Sequence, residues 1–169
     1  QFPLLFSCLA PVLARHPEVT VDIFGSGGYA SVQALDQVVA PLGRQVRFWG
    51  EQTQVSVLYR QMDALITGLP EKEALGLNVL EAQACGTPVL APDAPPFDET
   101  VLAGVTGLRF TDPRQDDGRG FEAALGELAS GSFRFDAPGA ARHLAQFEPS
   151  AFLERTRRLV ASLTPVLCR

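Results

Sequence analysis

Short apolar segments rich in β-branched residues alternate with helix-like segments along most of the chain, and this alternation constrains the fold more than any other feature. The pattern is typical of a parallel sheet, because each parallel strand needs a crossover connection before the next one. Pro88 to Ala91 is a short run dominated by apolar residues, as expected of a strand covered on both faces. The sequence therefore predicts an α/β, Rossmann-like parallel sheet of about five strands with helices on both faces.

The predicted strands and helices follow one another in a regular order. The predicted strands are Val19 to Phe24, Gln45 to Trp49, Ala64 to Thr67, Pro88 to Ala91 and Leu108 to Phe110. The predicted helices cover residues 4–14, Ser31 to Ala40, Gln54 to Met62, Leu77 to Cys85, Phe97 to Leu102, and residues 114–129, 138–147 and 150–163. Ligands of open parallel sheets bind beyond the carboxyl ends of the strands. The loops after the first four strands are therefore the candidate site.

Composition and charge limit the classes of function. The chain has 169 residues, of which 14 are basic and 19 are acidic, giving a net charge of −5 with neutral histidines. This length suits a single domain spanning residues 1–169. The acidic balance argues against a nucleic-acid partner, because phosphate neutralisation requires a basic surface. No apolar run has the length of an integral membrane segment and no signal peptide is recognisable, so we expect a cytoplasmic protein.

Two glycine-containing turns follow the first two predicted strands. They contain Gly25, Ser26 and Gly27 after the first strand, and Trp49 and Gly50 at the end of the second. Glycines in the first turn would let backbone amides approach a phosphate or a sugar, with a tight βα turn as the alternative. A nucleobase could lie against the ring of Trp49, with core packing as the alternative and the expected role for Phe48. By the two-residue period of a strand, Trp49 points away from Phe48.

The segment from Glu73 to Leu90 carries the strongest functional signal. Glu73 and Glu81 flank the start of a predicted helix, and a Gly-Thr-Pro turn then enters a buried strand. The first helical turn, with Gly76, Leu77 and Asn78, offers free amides and the positive end of the helix dipole to a diphosphate. Glu73 can face the same cavity, and Glu81 can accept hydrogen bonds from a ribose diol. Helix capping and a solvated face are the alternative for the two carboxylates.

Glu73 and Glu81, with seven residues between them, match the Glu-x7-Glu motif of retaining glycosyltransferases of the GT-B fold. The segment onward to Leu90 resembles the carboxy-terminal, donor-binding domain of family 4, also called glycosyltransferase group 1. Further similar segments are Val21 to Gly27, Val46 to Gly50, Tyr59 to Asp63, Glu99 to Val101 and Gly104 to Leu108, so the resemblance covers roughly residues 2–163. The chain departs from the family at Ala74-Leu75-Gly76, where Gly-Phe-Gly is usual, and at Gly68 to Lys72, which is about one residue longer.

The resemblance implies transfer of a hexose from a nucleoside diphosphate sugar to an acceptor, with retention of the anomeric configuration and without a metal or other cofactor. Glu73 would orient the sugar in catalysis and Glu81 would bind the ribose. The other implied donor-binding residues are Gly25, Ser26, Gly27, Trp49, Gly50, Gly76, Leu77 and Asn78.

The resemblance also implies what this chain lacks. The first strand of the family's donor domain, with the Arg and Lys that hold the donor phosphates, would precede Gln1, as would the acceptor-binding domain. The chain alone would then be inactive, and the complete protein could be peripheral to a membrane. Two alternatives remain open, namely a non-catalytic nucleotide-sugar binding module and a nucleotide-sugar epimerase of the same fold. Neither the base, the sugar nor the acceptor follows from the sequence.

Overall fold

The computed structural model describes residues 2–25 and 29–167, in which strands alternate with helices. The strands are β1 (Val21–Phe24), β2 (Val46–Gly50), β3 (Leu65–Ile66), β4 (Val89–Pro92) and β5 (Gly107–Phe110). The helices are α1 (Phe2–Leu13), α2 (Tyr29–Val39), α3 (Val55–Tyr59), α4 (Leu77–Ala84), α5 (Phe97–Thr100), α6 (Pro113–Asp116), α7 (Arg119–Ala129), α8 (Ala137–Leu144) and α9 (Pro149–Leu167). Shorter 3₁₀ turns cover Ala40–Gln45, Pro70–Lys72 and Ala145–Phe147. The predicted α/β class is confirmed, and none of these helices is long and apolar enough to cross a membrane.

The strands form two parallel sheets instead of one continuous sheet. β1 pairs with β2, from Val21 opposite Val46 to Phe24 opposite Gly50. β3, β4 and β5 form a three-stranded sheet in that order. Among the described strands, no hydrogen-bonded ladder joins β1 to β3. Local sequence patterns predict the individual strands but not this gap, because the gap depends on which strand edges meet.

Two hydrophobic cores lie on opposite faces of the strands. Successive residues of β4 alternate between them, with Leu90 in the first core and Val89 and Ala91 in the second. The first core contains buried side chains of α1, α2 and α7, and the second contains those of α3, α4 and α5. The connection from β1 to β2 therefore passes over the first face, and the connections from β3 to β5 pass over the second.

This arrangement fixes where the strand order reverses. Crossovers between parallel strands are almost always right-handed, so connections on opposite faces run in opposite directions across the sheet. β2 therefore lies on one side of β1, whereas β4 and β5 lie on the opposite side of β3. The reversal falls between β1 and β3, and ligands of doubly wound folds bind at such a point.

Helix α1 packs against elements of both sheets. Its side chains with 0% exposed surface are Leu5, Leu9, Val12 and Leu13. They belong to the core that contains both Val21 of β1 and Phe110 of β5. α1 contacts α2 beside the two-stranded sheet, and it contacts α6 and α7, which follow the three-stranded sheet. Each fully buried aliphatic side chain contributes roughly 1.5–3 kcal/mol of hydrophobic stabilisation, so α1 is a major link between the two sheets.

The helix predicted over residues 114–129 is interrupted in the structure. Asp117 (φ 55°) and Gly118 (φ 77°) are left-handed, so α6 ends before them and α7 begins after them. A right-handed helix cannot continue through two left-handed residues. The Asp116 carboxylate accepts hydrogen bonds from the amides of Gly118 and Gly120, at 3.0 and 2.7 Å, and thereby stabilises the break.

Gly107 lies against the backbone of β4, and this contact generates a stability prediction. A Cβ at Gly107 would overlap the carbonyl oxygen of Val89 and would lie 2.8 Å from its nitrogen. Gly107→Ala therefore forces β4 and β5 apart, and we expect the free energy of unfolding to fall by about 1–3 kcal/mol. The measurement is urea denaturation.

The matched control is Gly126→Ala, in the interior of α7. A Cβ there meets nothing within 4 Å, and alanine favours a helix over glycine by roughly 0.5–1 kcal/mol. We therefore expect this variant to be slightly more stable than the wild type. A Gly107→Ala variant as stable as the wild type would contradict the close approach of β4 and β5.

Candidate functional site

The loop after β3 brings Glu73 to the start of α4. Gly76, the residue before α4, is left-handed with φ 79°, a conformation that glycine adopts without the steric cost of a Cβ. The amides of Ala74 and Gly76 both donate to Oε1 of Glu73, each at 3.0 Å, and neither bond uses Oε2. The backbone thus fixes the half-buried carboxylate through one oxygen. Both donors precede Leu77, the first residue of α4, so these bonds order the loop and do not cap the helix.

The first turn of α4 is open to solvent. Leu77 is 65% exposed, and Asn78 is exposed as well. The amides of Val79 and Leu80 donate to the carbonyl of Gly76, at 2.9 and 3.3 Å. The amides of Leu77 and Asn78 therefore precede the first helical hydrogen bonds, where the helix dipole favours a negative charge.

Glu81 lines a cavity between α3 and α4, which we call the α3–α4 groove. The groove has a volume of about 650 Å³ and is lined by residues 53–57, Tyr59, Glu81, Ala84 and Cys85. Tyr59, only 6% exposed, donates its hydroxyl to Oε2 of Glu81 at 3.3 Å. Burial and the neighbouring Glu81 carboxylate raise the pKa of Tyr59 to about 12. The Tyr59 hydroxyl is therefore a protonated donor at neutral pH.

A second cavity, the α4–α9 groove, lies on another side of α4. Its volume is about 660 Å³, and it is lined by Leu75, Leu77, Leu80, Glu99, Gln146, Phe147, Pro149, Phe152 and Arg155. Glu73 lines neither of these two grooves. The structure thus places Glu81 in a groove and Glu73 in the turn before α4. That both carboxylates bind the same ligand stays a prediction.

The glycine turns after β1 and β2 meet each other. The amide of Gly25 donates to the carbonyl of Gly50 at 2.8 Å. Neither glycine lines the α3–α4 groove. Ser26 and Gly27, the other predicted residues of the first turn, lie outside the described residues. The structure therefore joins the two turns to each other without placing them in the cavity that contains Glu81.

Trp49 packs against side chains of β1. Its indole N–H donates to Oδ1 of Asp22 at 2.7 Å, and its ring stacks on Phe24 with 6.3 Å between the ring centroids. Although burial opposes the shift, hydrogen bonds from Arg47 and Trp49 hold the pKa of Asp22 below its ordinary value. Trp49 remains 52% exposed. Phe48 is 42% exposed and is not the core residue that the sequence favoured, because the residues of β2 after Val46 are exposed and lie outside both hydrophobic cores.

Arg114 is a residue of this region that sequence reasoning missed. Its guanidinium lies 2.6 Å from Oε1 of Glu71, in the loop before Glu73, and donates through Nε to Asp112 at 2.9 Å. These hydrogen bonds from Arg114 lower the pKa of both carboxyl groups. Arg114 therefore ties the loop after β3 to the loop after β5. No local pattern reveals this contact, because Glu71 and Arg114 are 43 residues apart.

Within residues 2–25 and 29–167, no group of three or more His, Cys, Asp or Glu side chains is arranged to hold a metal ion.

Comparisons with known proteins place this arrangement in a family context. Residues 2–130 match the sequence profile of the family described as glycosyl transferases group 1. A D-inositol 3-phosphate glycosyltransferase from Rhodococcus jostii is 33% identical over 155 residues, which cover 85% of this chain and 33% of that protein. The chain spans about a third of the length of the curated relatives it matches.

Solved structures share the fold. Sucrose-phosphate synthase from Thermosynechococcus elongatus has a TM-score of 0.73 at 24% identity, over 96% of this chain and 43% of that one. Anabaena HepE in complex with UDP-glucose has a TM-score of 0.56 at 26% identity, over 83% of this chain and 43% of that one. The chain therefore has the Rossmann-like fold of a GT-B glycosyltransferase half.

Proposed function

Because the chain belongs to the glycosyl transferases group 1 family, we propose that it is the donor-binding domain of a retaining, family 4 glycosyltransferase. The proposed reaction moves a hexose from a nucleoside diphosphate sugar to an acceptor. The observation that carries the proposal is the environment of α4. Glu73, fixed by backbone amides, and Glu81, in a groove, flank an exposed helix start beside the reversal of strand order. The UDP-glucose complex of the similar Anabaena HepE supports the same class of donor.

Each part of this region has a proposed task. The nucleoside occupies the α3–α4 groove, and its ribose hydroxyls donate to Glu81. The amides of Leu77 and Asn78 face the diphosphate, and Glu73 orients the transferred sugar. As the sugar–phosphate bond breaks, charge grows on the departing diphosphate, and preoriented amides stabilise that charge more than they stabilise the ground state. The oxygen of the acceptor hydroxyl bonds to the anomeric carbon on the face that the diphosphate leaves, the hydroxyl proton passes to the departing diphosphate, and no metal ion takes part. Gly25, Ser26, Gly27, Trp49, Gly50 and Gly76 remain proposed donor-binding residues.

The sheet topology supports a donor domain longer than this chain. α1 packs on the same face as α2, so a right-handed crossover through α1 would bring a preceding strand beside β1, on the side away from β2. That position is the gap between β1 and β3. We propose that such a strand completes the sheet and carries the basic residues that hold the donor phosphates. The acceptor-binding domain would precede it in the remaining length of the relatives.

Conservative changes of the two glutamates test the proposed roles in the protein at its natural length. Glu81→Gln removes a charge that strengthens hydrogen bonds to a diol, so we expect donor affinity to fall by about 1.5–3 kcal/mol. Glu73→Gln should lower kcat more than affinity, because the contact strengthens in the transition state. Transfer assays with UDP-, GDP- and ADP-hexoses provide both constants, and Glu127→Gln on α7 is the control.

The same assays separate the proposal from its alternatives. Small and equal effects of both glutamate changes would favour a non-catalytic binding module. Conversion of the donor sugar into its epimer, without transfer, would favour an epimerase. A product with inverted anomeric configuration would contradict the retaining mechanism.

Two side chains can report where the nucleotide binds. Cys85 lines the α3–α4 groove, and Trp49 is the only tryptophan of the chain. In the 169-residue chain carrying Cys8→Ser and Cys168→Ser, a nucleoside diphosphate at several times its Kd should protect Cys85 in the groove from iodoacetamide. A base stacked on Trp49 should quench its fluorescence. Protection without quenching would remove Trp49 from the donor-binding residues, and quenching without protection would contradict the groove as the nucleoside site.

The 169-residue chain alone should fold without ligand but bind nucleoside diphosphates weakly and transfer no sugar. Its net charge is −5, and a helix start contributes only roughly 0.3–1 kcal/mol toward a charge at an exposed site. Each phosphate contact that residues outside this chain would make is missing, which weakens the binding free energy by roughly 1.5–3 kcal/mol. We therefore expect dissociation constants near or above ~1 mM for UDP, GDP and ADP in titration calorimetry.

Micromolar binding by the isolated chain would contradict this expectation. The phosphates would then be held by a cation within the chain. Arg155, which lines the α4–α9 groove together with Leu77 of the α4 start, is the first residue to test. Loss of the micromolar binding in Arg155→Ala would identify Arg155 as the cation that holds the phosphates.

A further inference from the structure

Tyr59 reaches the proposed ribose-binding carboxylate from the protein interior. Its ring lies in the second core, together with Val79 and Ala82 on the buried side of α4. Its hydroxyl donates to Oε2 of Glu81 at 3.3 Å, and both side chains line the α3–α4 groove. The tyrosine is thus buried along its ring and polar only where it meets the groove.

We propose that Tyr59 is a positioning residue that holds the Glu81 carboxylate in the orientation that receives the nucleotide. The inference rests on the proposed function of Glu81. Glu81 is an exposed side chain on the surface of α4, and an unsupported glutamate of this kind samples several rotamers. The Tyr59 hydroxyl engages Oε2 and leaves Oε1 out of that bond. A carboxylate has acceptor sites for more than one donor, so a diol can bind while Tyr59 stays bound.

Thr87 fixes Tyr59 in turn and gives the Gly-Thr-Pro turn a task. Thr87 is 2% exposed, and its hydroxyl donates to the carbonyl of Tyr59 at 2.5 Å. Its amide donates to the carbonyl of Ala82 in α4 at 2.9 Å. The carbonyl of Tyr59, at the end of α3 (Val55–Tyr59), also accepts from the amide of Met62 at 3.1 Å, so the Thr87 hydroxyl is its second donor. Thr87 therefore fastens the end of α3 to α4 and sets the distance from Tyr59 to Glu81.

The left-handed Gly86 makes this arrangement possible. It follows α4 with φ 84°, and glycine is the residue that ends helices in this conformation most readily. Its amide donates to the carbonyl of Gln83 at 3.0 Å. The chain thereby turns so that Thr87 can bind a carbonyl of α3 and a carbonyl of α4. The segment from Gly86 to Pro88 thus supports the groove as well as leading into β4.

The test is a double-mutant cycle in the protein at its natural length. The probe is whichever of UDP, GDP and ADP binds the wild type most tightly. We expect Tyr59→Phe, which removes only the hydroxyl, to raise the Kd by about 3- to 10-fold. In a Glu81→Ala background there is no carboxylate to hold, so Tyr59→Phe should then change the Kd by less than a factor of about two.

The outcomes of the cycle distinguish the inference from the proposed function. If Glu81→Ala weakens binding and Tyr59→Phe does not, the positioning role is overturned while the function of Glu81 stands. An equal effect of Tyr59→Phe in both backgrounds also overturns the role, because the hydroxyl would then act without Glu81. If Glu81→Ala binds like the wild type, or none of the three nucleotides binds, the proposed function itself fails.

Thr87 provides a second pair of variants in case Tyr59→Phe does not fold. Thr87→Val removes the hydroxyl and should raise the Kd, whereas Thr87→Ser keeps the hydroxyl and should restore wild-type affinity. Equal Kd values for the two variants would overturn the role of Thr87. Thr106→Val is the matched control, because Thr106 is 0% exposed and its hydroxyl accepts from the amide of Leu102, outside the groove. It should lower the Tm without changing the Kd.

Discussion

The burial of α1 against both parallel sheets is the contact on which the rest of the structure depends. Because no ladder joins β1 to β3 among the described strands, side-chain packing has to hold the two sheets in position relative to each other. α1 supplies that packing through its fully buried side chains, which share one core with β1 and β5. The relative position of the two sheets then sets where the strand order reverses, and the candidate site lies at that reversal. The packing of α1 on one face of the strands thus determines where the candidate site forms at the strand ends.

The two glutamates of the site are oriented by different means. Glu73 is held by backbone amides of its own turn, which forms because Gly76 is left-handed. Glu81 is held by the side chain of a neighbouring helix, through Tyr59. Local geometry therefore suffices for the first carboxylate, whereas the second depends on the packing of α3 against α4. Damage to the second core should affect Glu81 before Glu73.

The loop between β3 and α4 is also held by a tertiary contact. Arg114 binds Glu71 within the segment from Gly68 to Lys72, which the resemblance predicts to be about one residue longer than in the family. In the same way, Arg47 is engaged by Asp22. These arginines satisfy carboxylates of the chain itself, so they do not serve a diphosphate in this arrangement. This charge pairing agrees with the proposal that the main phosphate-binding cations come from a strand in the gap between β1 and β3.

The sequence by itself determined the features that have a short period or a local motif. These are the alternation of strands and helices, the α/β class, and the start of α4 between Glu73 and Glu81. Tertiary structure alone decided the split into two sheets, the exposure of Phe48, and the pairing of Glu81 with Tyr59 and of Glu71 with Arg114. The last two pairs join residues 22 and 43 positions apart. Periodicity reports which face of one element is apolar, but such contacts depend on how separate elements pack, which no local pattern specifies.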